Sequence, residues 1–272
     1  MQLTGNDLQL KINNLTVNYD DLGSGDIPVI FIHGFPFDKS MWQPQLETLK
    51  SSYRVIAYDI RGFGKSTSDA EQSSISFYAD DLIKLMDALE IRKAIVCGLS
   101  MGGYILLNAL SRYPERFEAI ILSDTQCIAD SPEGKEKRYM TIVQIEKEGL
   151  TDFAEGFVKN IFHPDSLEQK KEPVEKIKNT ILGTSSSTVI GTLKALAERS
   201  ETCSTLDKIS IPTLILCGEG DKITPLAQSE FMHGQIKNSV LFSIQKAGHM
   251  SNLEQPADFN LHLTDFISRI IK

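Results

Sequence analysis

Short, β-rich apolar runs alternate with longer stretches whose apolar residues recur at helical spacing along most of the chain, the pattern of a parallel sheet covered by helices on both faces. The opening differs. Leu8 to Asp20 alternates apolar and polar residues and ends at Gly23-Ser24-Gly25, which predicts an antiparallel hairpin at the sheet edge. Pro28 to Ile32, Tyr53 to Tyr58, Ala94 to Cys97, Ala119 to Leu122, Thr213 to Cys217 and Val240 to Ile244 are compact and largely apolar, as central strands buried on both faces must be. Helices are predicted over Ser40 to Lys50, Ile75 to Leu89, Met101 to Tyr113, Pro225 to Gln235 and Leu253 to Ile271. From Gln126 to about Leu206 the rhythm breaks, and charged helical patterns such as Glu133 to Glu148 and Phe153 to Phe162 take over. That stretch is too long for a structureless loop. It reads as a helical cap, residues 126–206, inserted into a core made of residues 1–125 and 207–272. Phe153, Phe157, Ile161 and Phe162 are expected to supply the cap's apolar face and to pack its own core, with lining the substrate site as the alternative.

Hydrophobic residues make up 41% of the 272 and charged residues 24%, which excludes disordered, collagen-like and coiled-coil classes. With 28 basic against 36 acidic residues the net charge is −8, a sign that repels nucleic-acid phosphates and anionic lipid surfaces. No nucleic-acid or membrane partner is expected. Met1 to Lys11 carries no apolar block behind a basic start, and no apolar run approaches the roughly 20 residues of a spanning helix. Cys97, Cys127, Cys203 and Cys217 lie far apart with no C-x-x-C pair, so neither a zinc nor a thioredoxin-type site is suggested. A reduced, cytoplasmic setting is the expectation, with no metal and no cofactor.

Gly98-Leu99-Ser100-Met101-Gly102 follows a predicted strand directly and leads into a predicted helix. A serine at the tip of such a turn needs small neighbours, and the helix N-terminus beneath it offers free N–H groups and partial positive charge. Ser100 is the candidate nucleophile. Its hydroxyl needs a base, and histidine titrates in the right range. His33 ends the first buried strand and is read as organising a loop; His163, His233 and His262 are read as surface or packing residues. His249 lies in the loop after the last strand, at the carboxyl edge where ligand groups collect in open α/β sheets. Asp221, after the strand ending at Cys217, is the expected orienting acid, with Asp124 as its rival. An oxyanion forming at an ester carbonyl needs two donors. The backbone N–H groups of Met101 and Phe35 are expected to supply them, and the same residues to touch substrate.

Taken together, His33-Gly34-Phe35-Pro36-Phe37, Asp59-Ile60-Arg61-Gly62-Phe63-Gly64-Lys65-Ser66, Gly98 to Gly103, Gly218-Glu219-Gly220-Asp221 and Ala247-Gly248-His249 resemble the α/β-hydrolase superfamily over all but the cap. The resemblance implies an α/β fold with a mostly parallel sheet of about eight strands, helices on both faces, and a Ser100, Asp221, His249 triad at its carboxyl edge. It gives Asp59 to Ser66 a structural role. Cys97 to Gly103 and the Asp59 turn look most like 3-oxoadipate enol-lactonases and related carboxylesterases. The His33 to Pro36 loop is closer to arylesterases and cofactor-free perhydrolases. The implied activity is cleavage of small esters or lactones through an acyl-enzyme, with perhydrolysis as a side activity. A C–C hydrolase of vinylogous diketones and a hydrolase-like ligand sensor stand as alternatives. The aspartate nucleophile of haloalkane dehalogenases is absent, since this chain has Ser100.

Overall fold

The structure, a computed structural model, describes residues 4–12, 14–67 and 73–271; Met1 to Leu3 of the N-terminal stretch and Asn13 of the predicted hairpin lie outside them. The core is one eight-stranded sheet in the order β1-β2-β4-β3-β5-β6-β7-β8. β1 (Gly5–Ile12) and β2 (Leu15–Leu22) form the expected antiparallel hairpin, and β2 also runs antiparallel to β4 (Val55–Tyr58). β3 (Val29–Ile32), β5 (Ala94–Leu99), β6 (Phe117–Ser123), β7 (Thr213–Gly218) and β8 (Ser239–Ile244) continue the sheet in parallel.

Because side chains alternate across a strand, each central strand feeds two cores. Ile30, Ile32, Ile56, Val96, Ile120 and Leu122 belong to the apolar cluster shared with α2 (Ile75–Ala88), α3 (Met101–Arg112) and α9 (Leu226–Gln235). Val29, Phe31, Val55, Ile95, Ile121 and Leu214 belong to the opposite cluster, shared with α1 (Gln43–Leu49), the one-turn α10 (Ser251–Glu254) and α11 (Pro256–Ile270). Trp42 is fully buried there, its ring 5.0 Å from that of Phe31. Burying each such side chain contributes about 1.5–3 kcal/mol, which explains why these strands read as continuous apolar runs. β8 departs from that reading. It lies at the sheet edge, leaving Val240 and Phe242 exposed, with the ring of His262 stacked on Phe242.

Between β6 and β7 the chain forms α4 (Pro132–Glu148), α5 (Thr151–Ile161), α6 (Pro164–Gln169), α7 (Lys171–Gly183) and α8 (Ser186–Ala197). These helices do not build a separate core. Ile142, Ile145, Val189 and Leu193 join the cluster of α2 and α3, while Ala154, Val158, Ile177 and Ile181 join that of α1 and α11. Cys127 and Cys203 form a disulfide with their Cα atoms 4.9 Å apart across a sequence separation of 76, while Cys97 and Cys217 are buried free thiols. The reduced reading of the four cysteines is corrected at this pair, and with it goes the ground for the cytoplasmic expectation. Among the described residues no helix is long and apolar enough to cross a membrane.

Candidate active site

Ser100 sits between β5 and α3 with φ 54° and ψ −115°, a region an L-residue occupies only at a cost of about 1–2 kcal/mol. The surrounding packing holds it there. Ser100 N–H donates to Ser123 O at 3.0 Å, and Thr125 Oγ1 donates to Ser100 O at 2.8 Å. A Cβ on Gly98 would lie 2.3 Å from Gly102 O, and one on Gly102 would lie 2.3 Å from Ile32 O. Both collisions are with backbone. Gly102→Ala is accordingly expected to lower the melting temperature, at a cost of about 1–3 kcal/mol or more; an unchanged thermal midpoint would show that the turn relaxes freely.

Asp221 follows β7 and His249 follows β8, adjacent strands in the sheet. Glu219 N–H donates to Ile244 O and Gly220 N–H to Ala247 O, tying the two loops together. His249 Nδ1–H donates to Asp221 Oδ2 at 2.8 Å. The same carboxylate accepts from Thr224 Oγ1 at 2.7 Å and, through Oδ1, from Ile223 N–H and Thr224 N–H. Burial pushes the Asp221 carboxyl up, but the facing imidazole and these hydrogen bonds outweigh it and hold the group below the ordinary carboxylate value. Burial likewise pushes His249 down, and the negative charges of Asp221, Asp124 and Glu254 overcome it, so the imidazole titrates above 6.5. An imidazole fixed this way carries its hydrogen on Nδ1 and leaves Nε2 able to accept a proton.

Asp124 is also brought to this edge, but differently. It is completely buried and accepts from Ser123 Oγ at 2.8 Å, Ser251 Oγ at 2.5 Å and Gly218 N–H at 2.8 Å. Burial, helped by the neighbouring Asp221 charge, pushes its carboxyl up to about 7. Asp124, Cys217 and Asp221 hold one potential ligand atom each within 4.8 Å of one another. Both carboxylates are already engaged in hydrogen bonds, and burial pushes the Cys217 thiol up, so the trio suits a hydrogen-bonded network better than a cation.

His33 is fully buried and organises the β3 loop, as expected. Its Nε2 accepts from Ile60 N–H at 3.0 Å while Nδ1 lies 2.8 Å from Gly34 O, and burial lowers its pKa to about 4. His163 accepts from Asp165 N–H, His233 pairs with Ser239, and His262 stacks on Phe242. The Asp59 turn is held structurally: Asp59 accepts from Lys39 N–H and Lys65 N–H, and Arg61 pairs with Asp81.

Phe35 lies in the β3 loop, joined to Pro36 by a cis peptide bond, and Met101 opens α3, where first-turn N–H groups have no partner within the helix. Phe35 does more than was expected of it. Its ring meets Phe153 at 6.3 Å and Phe157 at 6.1 Å, and Phe157 also meets Phe37 at 6.2 Å. Of the two readings of Phe153 and Phe157, the self-contained cap core is corrected: they close onto Phe35 in the β3 loop. Thr224 and Glu254 were missed. Thr224 had a faint signal, since an aspartate three residues before a threonine often forms a local side-chain cap; Glu254 had none.

Over residues 27–256 the chain matches the family of the α/β-hydrolase fold, and it belongs to that family. It is 32% identical over 252 residues to 3-oxoadipate enol-lactonase 2 of Acinetobacter baylyi, with 92% of each chain covered. A thermophilic esterase from Thermogutta terrifontis superposes with a TM-score of 0.92 at 33% identity, covering 95% of both chains. The enol-lactonase of Burkholderia xenovorans gives 0.89 at 26% identity, covering 96% of this chain and 100% of its own. The chain is a hydrolase.

Proposed function

We propose that this hydrolase cleaves small carboxylic esters or lactones by way of an acyl-enzyme formed on Ser100. The observation that carries the reading is the His249 Nδ1 to Asp221 Oδ2 bond of 2.8 Å, made by residues that follow β7 and β8, strands parallel to the one that ends at Ser100 and separated from it by β6. In this reading Nε2 of His249 takes the Ser100 proton as Oγ attacks the carbonyl carbon, and the backbone N–H groups of Phe35 and Met101 receive the oxyanion. Collapse expels the alkoxide, or opens the lactone ring, with the proton returned by His249. Water then attacks the acyl-enzyme by the reverse path and regenerates Ser100. No cofactor enters this scheme.

The aromatic set of Phe35, Phe153 and Phe157, gathered on the loop after β3, the strand paired with the β5 that leads to Ser100, supports a compact, largely apolar acyl group. Hydrogen peroxide in place of water at deacylation would release a peracid, and Pro36 after Phe35 supports testing that acceptor. The test is a panel of p-nitrophenyl acetate, butyrate and longer acyl esters together with simple lactones, followed by a serine-reactive phosphonate and peptide mass mapping. Hydrolysis of short esters with the phosphonate on Ser100 is the expected outcome; turnover with label elsewhere, or none, overturns the reading. Phe157→Ala is expected to raise KM for short acyl esters more than it lowers kcat, since it removes one wall without touching the reacting groups.

A further inference from the structure

Glu254 is completely buried in the short α10, a costly place for a carboxylate unless several donors satisfy it. Its donors lie on both sides of a seam. Oε1 accepts from Gly248 N–H at 2.7 Å and Met250 N–H at 3.3 Å, the residues flanking His249, while Oε2 accepts from His163 N–H at 2.7 Å, just beyond α5 of the cap. The seam closes a second time where His249 N–H donates to Ile161 O at 2.7 Å. A Cβ on Gly248 would fall 2.7 Å from Ile161 O and 2.8 Å from His163 N, so the two backbones touch. Lys170 Nζ contacts the Glu254 carbonyl from the cap side. Thus α5, which carries Phe153 and Phe157 against Phe35, continues without slack into the loop of His249.

We infer that Glu254 is a positioning residue that locks the His249 loop to the end of α5, so that the seat of the acyl-contacting aromatics and the placement of the base are set together. This rests on His249 acting as the base for Ser100. Either strand of the connection can be cut separately. A glutamine at 254 keeps one acceptor oxygen but turns an N–H2 toward the other donors, and it removes a negative charge that faces His249 together with Asp221 and Asp124, with Cys217 beside those two carboxylates and His163 at the cap junction. Beyond the side chain that both variants lose, a proline at 163 also removes the N–H given to Glu254 and sets a ring carbon against that carboxylate. Its φ of −63° and ψ of 144°, after an extended Phe162, already suit proline. His163→Ala removes the side chain and keeps that N–H.

The experiment measures kcat and kcat/KM against pH for p-nitrophenyl butyrate with wild type, Glu254→Gln, His163→Pro and His163→Ala, with melting curves for each. Phosphonate labelling of Ser100 in the wild type comes first. Glu254→Gln is expected to lose between about 10- and 100-fold in kcat, the scale of a slight misplacement of a reacting group, and to move the acidic limb of kcat/KM to lower pH. His163→Pro is expected to lose kcat relative to His163→Ala with the acidic limb in place, because the charge remains. Labelled wild type with an unshifted limb in Glu254→Gln, or with His163→Pro matching His163→Ala, overturns the positioning role alone. Unlabelled wild type overturns the serine reading and this role with it. If Glu254→Gln does not fold, the comparison of the two His163 variants decides.

Discussion

Ser100→Ala is expected to abolish hydrolysis of p-nitrophenyl acetate and butyrate, with kcat falling by about 10⁴-fold or more. The loss should sit in kcat, since alanine removes the attacking oxygen and leaves Phe35, Phe153 and Phe157 in place. The residual rate reflects the oxyanion donors and binding alone. The substitution also relieves nothing in the backbone: alanine at φ 54° is as strained as serine, so the melting temperature should stay close to that of the wild type. That pairing of results separates lost chemistry from lost fold. Equal hydrolysis by Ser100→Ala and wild type would remove this serine from the mechanism.

The second large effect divides the two aspartates. Asp221→Asn is expected to cost about 10³- to 10⁴-fold in kcat, because the amide presents N–H2 to His249 or leaves Nδ1–H without its charged acceptor, so the tautomer with a free Nε2 is no longer favoured. Asp124→Asn should cost no more than a few-fold near neutrality. The carboxyl of Asp124 titrates at about 7, so much of it is already uncharged there, and an amide can still accept from Gly218 N–H while the hydroxyls of Ser123 and Ser251 reorient. The reverse ranking of the two variants would transfer the acid role to Asp124.

The same residue fixes a pH dependence of stability. The folded-state pKa of Asp124 lies above its unfolded value of 3.8, so its protonated form stabilises the fold fully below pH 3.8, and that contribution is lost as pH rises through about 7. Asparagine does not ionise. The melting temperature of Asp124→Asn relative to wild type should therefore rise between pH 5 and pH 8, and a difference independent of pH would show that Asp124 is ionised throughout. The acidic limb of wild-type kcat/KM should fall above the ordinary imidazole value of about 6.5, in keeping with the carboxylates around His249.

Periodicity alone located the hairpin of β1 and β2, the buried strands β3 to β7 and the helices over them, because a strand covered on both faces must be apolar at every position and a covering helix must be apolar on one stripe. Spacing alone singled out Ser100, since a tight strand-to-helix turn tolerates only glycine where Gly98 and Gly102 approach backbone at 2.3 Å. Asp221 and His249 were legible from their places after apolar runs. Tertiary structure decided the rest. β8 reads like a central strand, yet whether an apolar strand is covered depends on its neighbours in the sheet, and β8 has one. Cys127 and Cys203 meet across a separation of 76 residues because the chain returns beside its own path there, with Thr202 N–H donating to Cys127 O. Phe153 and Phe157 form a helical stripe that sequence cannot aim, and only the docking of α5 turns it onto Phe35. Nor does any local pattern mark Glu254: its burial, like the raised pKa of Asp124, follows from which distant donors and charges the chain path brings around it.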